Sequence, residues 1–284
     1  MPFTSLQRCP LDPAQAPVSV HYREAGSGPA VVLLHGGWGY EAYPFDRAFE
    51  VLPDRYRLIA PDRVGYGRSG HPGKLPHGFH LRYAEETVET MDALGIRSAA
   101  LWGHSDGAVV ATWTALLFPQ RVHALVLEAL HFTAAKVGSV EFFRDMVEAP
   151  ERFGEANVKG FERDHGEAWR EVIAADGRAW LRIIEEGRRS GRDLYGGRFS
   201  EIRAPTLLLH GRHDPRTEPG EIDAARAALP EARVEWFDAS HSPHTSRKAA
   251  AACVAAASRF LDEVHEGLDP AGQGPRRGRT DGHR

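Results

Sequence analysis

A serine between two glycines is the first feature of this sequence that could do chemistry. The segment Gly103-His104-Ser105-Asp106-Gly107 directly follows the short apolar run 99–102 and opens a stretch of helical character. Between a strand and a helix, the two glycines leave room for a strained turn that projects the serine hydroxyl above the edge of a sheet. The pattern therefore predicts that Ser105 is a nucleophile.

A serine hydroxyl becomes a good nucleophile only when a base removes its proton, so the sequence should also supply a histidine and an acid. Asp214 follows the apolar run 206–209, and His241 follows the run 234–237 just before the last predicted helix. Side chains at the carboxyl ends of parallel strands meet at one rim of a sheet. We therefore predict a catalytic triad of Ser105, Asp214 and His241.

The runs that position these residues are short and rich in valine, leucine and isoleucine, which is typical of strands buried on both faces. They are the runs 30–34, 56–60, 99–102, 124–130 and 206–209. Between them, the segments 83–94, 107–118 and 245–264 are helical in pattern. Strands that alternate with helices predict a mostly parallel sheet. The alternating segment 18–25 predicts an antiparallel edge strand.

The alternation of strands and helices stops after residue 130. Residues 131–200 are helical in character, with aromatic side chains set among Glu and Arg, and show no strand-like run. We predict that 131–200 form an inserted helical cap on a core of residues 18–130 and 201–266, with ordinary peripheral helices as the alternative. Residues 267–284 are poor in apolar side chains and predict a disordered tail.

The serine turn, the segments of Asp214 and His241 and two further motifs resemble the α/β-hydrolase fold superfamily, and the resemblance covers about residues 18–264. Besides the serine turn, His35-Gly36-Gly37-Trp38-Gly39 is similar to the oxyanion loop of the family, and residues 62–69 are similar to its D-x-x-G-x-G-x-S turn. Within the superfamily, the chain is similar to valacyclovir-hydrolase-like and general esterase members. The resemblance implies an α/β fold with a mostly parallel sheet, flanking helices and an inserted helical cap.

The resemblance also implies which groups hold the oxyanion of the reaction. One donor is the backbone N–H of Asp106, the residue after the nucleophile, and the other is the N–H of Gly37. Each such N–H aimed at a developing oxyanion contributes roughly 3 kcal/mol in a dry site. Trp38 is expected to form a wall of the pocket.

Two alternatives to the predicted triad stay open. Some members of this fold place the acid after an earlier strand, where Glu128 lies in this sequence. His244, three residues after His241, is an alternative base. We prefer Asp214 and His241 because they match the motifs of the family better.

The side chain of Asp106 raises an electrostatic problem, because a carboxylate beside the oxyanion would repel the negative charge that develops there. It would have to bind a cationic group of the substrate, such as the ammonium of an amino-acid ester, or form a salt bridge with an arginine. We favour the salt bridge. Arg63 is itself expected to pair within the turn after Asp62. Epoxide hydrolases and dehalogenases of this fold use an aspartate nucleophile, whose place Ser105 holds here.

Composition restricts the class of protein. The 284 residues are 42% hydrophobic and 26% charged, which is close to the globular average. A formal net charge of -4 argues against a nucleic-acid binder, and the longest mainly apolar run, 107–118, is too short to span a membrane. Residues 1–17 show no apolar stretch typical of a secretion signal. We expect a cytoplasmic protein that binds a small-molecule substrate and neither nucleic acid nor membrane.

No cofactor and no metal site are predicted. Four histidines, His210, His213, His241 and His244, lie near two predicted strand ends, but their spacing does not provide a usual set of metal ligands. Cys9 and Cys253 have neither metal-ligand nor redox-motif spacing, so we expect both to be inert.

The sequence therefore predicts a serine hydrolase that cleaves a small, mostly apolar carboxylic ester or amide through an acyl-enzyme. The aromatic candidates for substrate binding are Trp38, Phe142, Phe143 and Trp169. Cofactor-free perhydrolysis or hydrolysis of a C–C bond would use the same triad, and a non-catalytic ligand receptor on the same fold is a further alternative. We also expect kcat/KM to rise through one ionisation near neutral pH as the catalytic histidine loses its proton.

Overall fold

An eight-stranded, mostly parallel sheet organises the protein. The computed structural model describes residues 2–12, 14–70 and 74–267. The strands are β1 Phe3–Leu6, β2 Val18–Ala25, β3 Ala30–Leu34, β4 Arg57–Pro61, β5 Ala99–His104, β6 Val122–Glu128, β7 Thr206–Gly211 and β8 Arg233–Phe237. They lie in the order β1-β2-β4-β3-β5-β6-β7-β8, in which β2 pairs antiparallel with β1 and β4 and the other neighbours are parallel.

The register of the central strands brings their carboxyl ends to one rim. His104 at the end of β5 pairs with Glu128 at the end of β6, and Glu128 pairs with Leu209 near the end of β7. All residues of β3, β5 and β7 are buried, which explains why these strands are continuous apolar runs in the sequence. The loops that follow β5, β6 and β7 therefore begin side by side.

The prediction that 18–25 form an edge strand is wrong. β2 is antiparallel as predicted, but β1 pairs with it from Phe3 opposite His21 to Leu6 opposite Val18, so β1 is the edge. Leu6, Cys9 and Leu11 are buried in the core, which therefore extends further toward the N-terminus than residue 18. A four-residue strand with two polar positions has too little pattern to be recognised from sequence.

Helices cover both faces of the sheet and bury alternate residues of each strand. On one face, α2 Phe79–Ala93, α3 Asp106–Leu117 and α7 Glu221–Ala228 contribute to a core that includes Leu101 and Leu125. On the other face, α1 Asp46–Val51 and α8 Ala250–Glu266 pack on side chains such as Trp102. This two-sided burial is the arrangement that a parallel sheet requires.

The segment between β6 and β7 is helical, in agreement with the character predicted for 131–200. It contains α4 Val140–Glu148, α5 Glu155–His165 and α6 Trp169–Ser190. Gly177 allows α4 and α6 to approach closely, because a Cβ on this glycine would lie 2.8 Å from Met146 Cβ and from Phe143 O. We call these three helices the cap helices, and their role as a cap on the core stays a prediction.

Two further expectations concern the chain as a whole. None of the helices within the described ranges combines the length and the apolar character needed to cross a bilayer. The predicted disordered tail lies outside the described residues, except for Gly267.

Candidate active site

The turn after β5 holds Ser105 in a strained conformation that the neighbouring glycines permit. Ser105 has φ of 55° and ψ of -119°, a combination that L-residues rarely adopt. A Cβ on Gly103 would lie 2.2 Å from Gly107 O, and one on Gly107 would lie 2.1 Å from Leu34 O. Only glycine fits at either position, so the turn exists because of these two residues.

The structure brings Ser105, His241 and Asp214 together in hydrogen-bonding order. His241 Nε2 lies 2.8 Å from Ser105 Oγ, and His241 Nδ1 lies 2.9 Å from Asp214 Oδ2. Because a carboxylate only accepts, Nδ1–H donates to Asp214 and leaves Nε2 free to accept the proton of the serine. This is the geometry that a general base and its orienting acid require.

The electrostatics of the pair favour a neutral histidine beside an ionised aspartate. Burial, reinforced by the guanidinium of Arg216, lowers the pKa of His241 to about 4, although Asp214 acts in the opposite direction. Burial alone would raise the pKa of Asp214, but its interaction with His241 keeps that pKa well below the ordinary value. His241 is therefore able to accept a proton at neutral pH.

Glu128 and His244 form a second buried pair that does not reach the serine. Glu128 Oε1 lies 2.7 Å from His244 Nδ1, and His244 Nε2 lies 3.1 Å from Tyr43 O. Both ring nitrogens therefore donate, and Glu128 raises the pKa of His244 despite burial. Because both ring nitrogens of His244 are engaged with these acceptors, neither is free to take the proton of Ser105, and the geometry favours Asp214 and His241.

The two predicted oxyanion donors lie in the same pocket as Ser105. The N–H of Asp106 is at the first position of α3, where an α-helix offers no carbonyl partner. Within the described ranges, no acceptor takes the N–H of Gly37. Both residues line the pocket with Ser105, so the two N–H groups are available to a ligand there.

The side chain of Asp106 is neutralised within the protein. Its Oδ2 lies 2.5 Å from Arg63 Nη1, and its Oδ1 lies 2.6 Å from His80 Nε2 and 3.2 Å from Trp180 Nε1. Burial would raise the pKa of Asp106, but His80 and Arg63 hold it well below the ordinary value. The favoured salt bridge is thus present, whereas the expectation that Arg63 pairs within its own turn is wrong.

Aromatic side chains from the oxyanion loop and the cap helices close the pocket. Trp38, Phe142 and Phe143 line it, together with Met146 and Trp180, and their contact with substrate stays a prediction. The cavity that these side chains line has a volume of about 20 Å³, which is room for about one water. A substrate larger than this therefore requires the aromatic side chains to move.

Trp169 does not line this pocket, so the structure does not support its predicted contact with substrate. Its ring packs on Phe161, at 5.7 Å between ring centroids, and under the guanidinium of Arg170. Trp180 occupies the pocket instead, three helical turns later on α6. Trp169 is buried inside the group of cap helices and contributes to their packing.

Among the pocket residues that the sequence analysis does not name, three have a charged or imidazole side chain. His131 lies just after β6, with Nε2 3.2 Å from Ser105 Oγ. Asp176 on α6 packs against the oxyanion loop, because a Cβ on Gly37 would lie 2.3 Å from Asp176 Oδ2. Arg216 lies two residues after Asp214. His131 could have been recognised as a candidate from the sequence, because it is a polar residue just after a predicted parallel strand.

The four histidines considered as metal ligands do not converge. His210 bonds the Thr217 hydroxyl, at 2.6 Å, and the exposed His213 bonds Asp238. In the described part of the chain, the group with metal-ligand spacing is instead His104, Glu128 and His244. The hydrogen bonds of Glu128 to His244 and of His104 Nε2 to Ser242 Oγ, at 2.8 Å, already engage these groups.

Known proteins resemble this chain in sequence and in fold. The model of the alpha/beta hydrolase fold family matches residues 29–186, more than half of the chain. An epoxide hydrolase of Caballeronia sordidicola is 36% identical over 124 residues, which are 43% of this chain and 37% of that relative. The match thus spans little more than a third of the epoxide hydrolase.

Two other proteins match over most of their length. A pimeloyl-[acyl-carrier protein] methyl ester esterase of Nitrosomonas europaea is 29% identical over 257 residues, which are 80% of this chain and 94% of the esterase. The structure of a thermophilic esterase from Thermogutta terrifontis covers 93% of this chain and 100% of its own, with a TM-score of 0.70 and 21% identity. The family match, together with the sheet topology, shows that the chain belongs to the alpha/beta hydrolase fold family.

Proposed function

We propose that the protein is a serine hydrolase that cleaves a small carboxylic ester through an acyl-enzyme, with Ser105 as nucleophile. The observation that carries this proposal is the continuous hydrogen-bonded path from Ser105 Oγ through His241 to Asp214, at 2.8 Å and 2.9 Å. Amides contain the same carbonyl group and are the more resistant substrates of the same chemistry. The closed aromatic pocket supports a small acyl group.

The chemistry proceeds in two half-reactions. His241 Nε2 takes the proton of Ser105 Oγ as that oxygen attacks the carbonyl carbon, and the N–H groups of Gly37 and Asp106 bind the resulting oxyanion. The intermediate collapses, and His241 returns the proton to the leaving alkoxide, which departs as the alcohol. A water molecule then attacks the acyl-enzyme while His241 takes its proton, and the acid is released as Ser105 regains its hydrogen.

Two considerations support an ester rather than an epoxide as substrate. The nucleophile position of the turn holds Ser105, whereas epoxide opening by members of this fold uses an aspartate there. In addition, one relative that matches this chain over 94% of its own length is a methyl ester esterase. Perhydrolysis and C–C hydrolysis remain alternatives that share the triad and differ only in substrate.

The test compares hydrolysis of short 4-nitrophenyl esters by the wild type, by Ser105→Ala and by Ser200→Ala. Ser200 is exposed on the surface and serves as the matched control. We expect Ser105→Ala to lower kcat by about 10⁴-fold or more and Ser200→Ala to leave it unchanged. Equal activity of wild type and Ser105→Ala, with both proteins folded, would exclude Ser105 as nucleophile.

A further inference from the structure

We infer that Arg216 binds a carboxylate group of the substrate, which makes the substrate the half-ester of a dicarboxylic acid. This inference rests on the proposed function, since it concerns what the acyl group carries. It is drawn from the position of the guanidinium, from its surroundings and from its effect on the predicted base.

Arg216 is built into the wall of the active site. It follows the acid by two residues, and its backbone N–H donates to Asp214 Oδ1 at 2.9 Å. Its side chain lines the same pocket as Ser105 and His241. A ligand attached to Ser105 is therefore in the same cavity as this cation.

The guanidinium lies among aromatic rings rather than acids. It stacks over Phe142, at 4.1 Å from the ring centroid, and lies 5.4 Å from that of Trp38. The Tyr43 hydroxyl lies beside it, and burial raises the pKa of that tyrosine, so the hydroxyl is neutral at physiological pH. These neighbours orient a flat cation without neutralising it.

No carboxylate of the described residues forms an ion pair with the Arg216 guanidinium, and its buried Nε has no hydrogen-bond partner. Arg216 is partly buried, and a charge that is withdrawn from water is normally paired. The other cations that are buried or nearly so follow that rule, in the pairs Arg63 with Asp106, Lys136 with Glu221 and Arg23 with Asp62. Arg216 thus presents an uncompensated charge and an unused donor in a substrate pocket.

A carboxylate fits this position geometrically and electrostatically. A guanidinium offers parallel N–H donors that match the two oxygens of a carboxylate. The charge of Arg216 also opposes protonation of His241, the step in which the base takes the serine proton. A bound carboxylate would offset this charge, so that the correct substrate makes His241 a better base when it is bound.

The competing role for Arg216 is structural. Its stacking on Phe142 joins the loop after β7 to α4, and in this role the arginine would hold the cap helices in place. Loss of such a contact would affect all substrates alike. Binding of a substrate carboxylate affects only substrates that have one.

The experiment uses a matched pair of methyl esters, monomethyl succinate and methyl 4-methylpentanoate. They have the same spacing between the ester and the terminal group, and an isopropyl group replaces the carboxylate in the second. Methanol release gives kcat/KM for each ester, and the quantity compared is the ratio of the two values. Because both values come from one preparation, a partly inactive variant does not distort the ratio.

We expect the wild type to favour the half-ester by at least tenfold and Arg216→Met to lower the ratio by about ten- to a hundredfold, the range for hydrogen bonds to a charged group. Arg216→Lys should lower it less. Arg212→Met is the control, since Arg212 is exposed and does not line the pocket. A wild-type ratio near or below one, or an unchanged ratio in Arg216→Met, overturns the inference.

The outcome also separates this inference from the proposed function. Turnover of both esters at similar rates, abolished by Ser105→Ala, contradicts the role of Arg216 alone. Absence of turnover of either ester contradicts the proposed function, and calorimetric binding of monomethyl succinate to Ser105→Ala then still tests Arg216. Binding weakened by Arg216→Met in that background supports the inference, and binding that is absent or unaffected by the substitution overturns it.

Discussion

His131 Nε2 lies 3.2 Å from Ser105 Oγ, so the predicted nucleophile contacts two histidines rather than one. The ring of His131 is stacked on that of His241, with 5.7 Å between centroids and 18° between planes. Since the serine proton points to His241, His131 must donate its Nε2–H to the oxygen. Burial, Lys136 and His241 lower the pKa of His131 well below its ordinary value, so this donor is neutral.

We expect His131 to position Ser105 rather than to act as the base. His131→Leu should lower kcat by about fivefold, because a neutral hydrogen bond contributes about 1 kcal/mol. His131→Gln keeps an N–H donor and should recover most of that loss, whereas His241→Gln should lower kcat by at least 10³-fold. Steady-state kinetics on one ester compare the three variants. A severe loss in both His131 variants, with an active His241→Gln, would make His131 the base.

Asp106 should matter for stability more than for substrate choice. Asp106→Asn leaves the buried guanidinium of Arg63 without its counter-charge, which costs about 3 to 5 kcal/mol in the free energy of unfolding. Urea unfolding measures this loss, and the double variant with Arg63→Met should recover part of it. Unchanged stability with a selective loss of amino-acid ester hydrolysis would instead assign Asp106 to substrate recognition.

The aromatic wall of the pocket should select substrates by size. Phe142→Ala opens space beside Trp38, whose ring lies 5.4 Å from that of Phe142, so the activity on hexanoyl esters should rise relative to acetyl esters. Trp169→Ala is the matched control, because this tryptophan is buried away from the pocket. It should lower the free energy of unfolding by about 3 to 5 kcal/mol and leave the ranking of esters unchanged. A changed ranking of esters in Trp169→Ala, with an unchanged ranking in Phe142→Ala, would identify Trp169 as a substrate contact.

The pH dependence of activity should differ from the expectation based on sequence. That expectation placed one ionisation near neutral pH, but burial and Arg216 lower the pKa of His241 to about 4. The base must be neutral, so kcat/KM for a neutral ester should rise with pH through a midpoint near 4 and stay level above about pH 6. A midpoint at 6.5 or above would show that the imidazolium is not disfavoured in the folded protein.

The free energy of unfolding should also depend on pH, because the pKa of His241 is lower in the folded state than in the unfolded state. The folded state keeps His241 neutral down to about pH 4, whereas an unfolded histidine gains a proton near pH 6.5. The unfolded state therefore binds more protons in this interval. The contribution of His241 to the free energy of unfolding is complete above about pH 6.5 and is lost as the pH falls toward 4.

The features that could be predicted from the sequence depend on residues that are neighbours along the chain. The serine turn needs two glycines within five residues, and both clashes that a Cβ would make involve backbone atoms fixed by the turn and the neighbouring strand. Strands buried on both faces are continuous apolar runs, so β3, β5 and β7 were predicted close to their observed bounds. The pairing of Asp214 with His241 followed from the motifs, because each comes directly after a strand.

The remaining parts of the site depend on contacts that no local pattern specifies. Trp169 and Trp180 are both aromatic residues of α6, and only the packing of that helix decides that Trp180 points to Asp106 and Trp169 to Phe161. The partner of Arg63 is 43 residues away, so the pair could not be distinguished from one within the turn after Asp62. Arg216 is recognisable as unusual only when it is known that its guanidinium forms no ion pair with a carboxylate of the described residues.

The proposed function requires that Ser105 becomes acylated during turnover. The direct measurement is mass spectrometry of the protein quenched in acid while it hydrolyses a 4-nitrophenyl ester, followed by peptide mapping. We predict a mass increase equal to one acyl group, located on Ser105 and absent from Ser105→Ala. Sustained hydrolysis by the wild type with no acyl adduct, or with the adduct on another residue, would contradict the account.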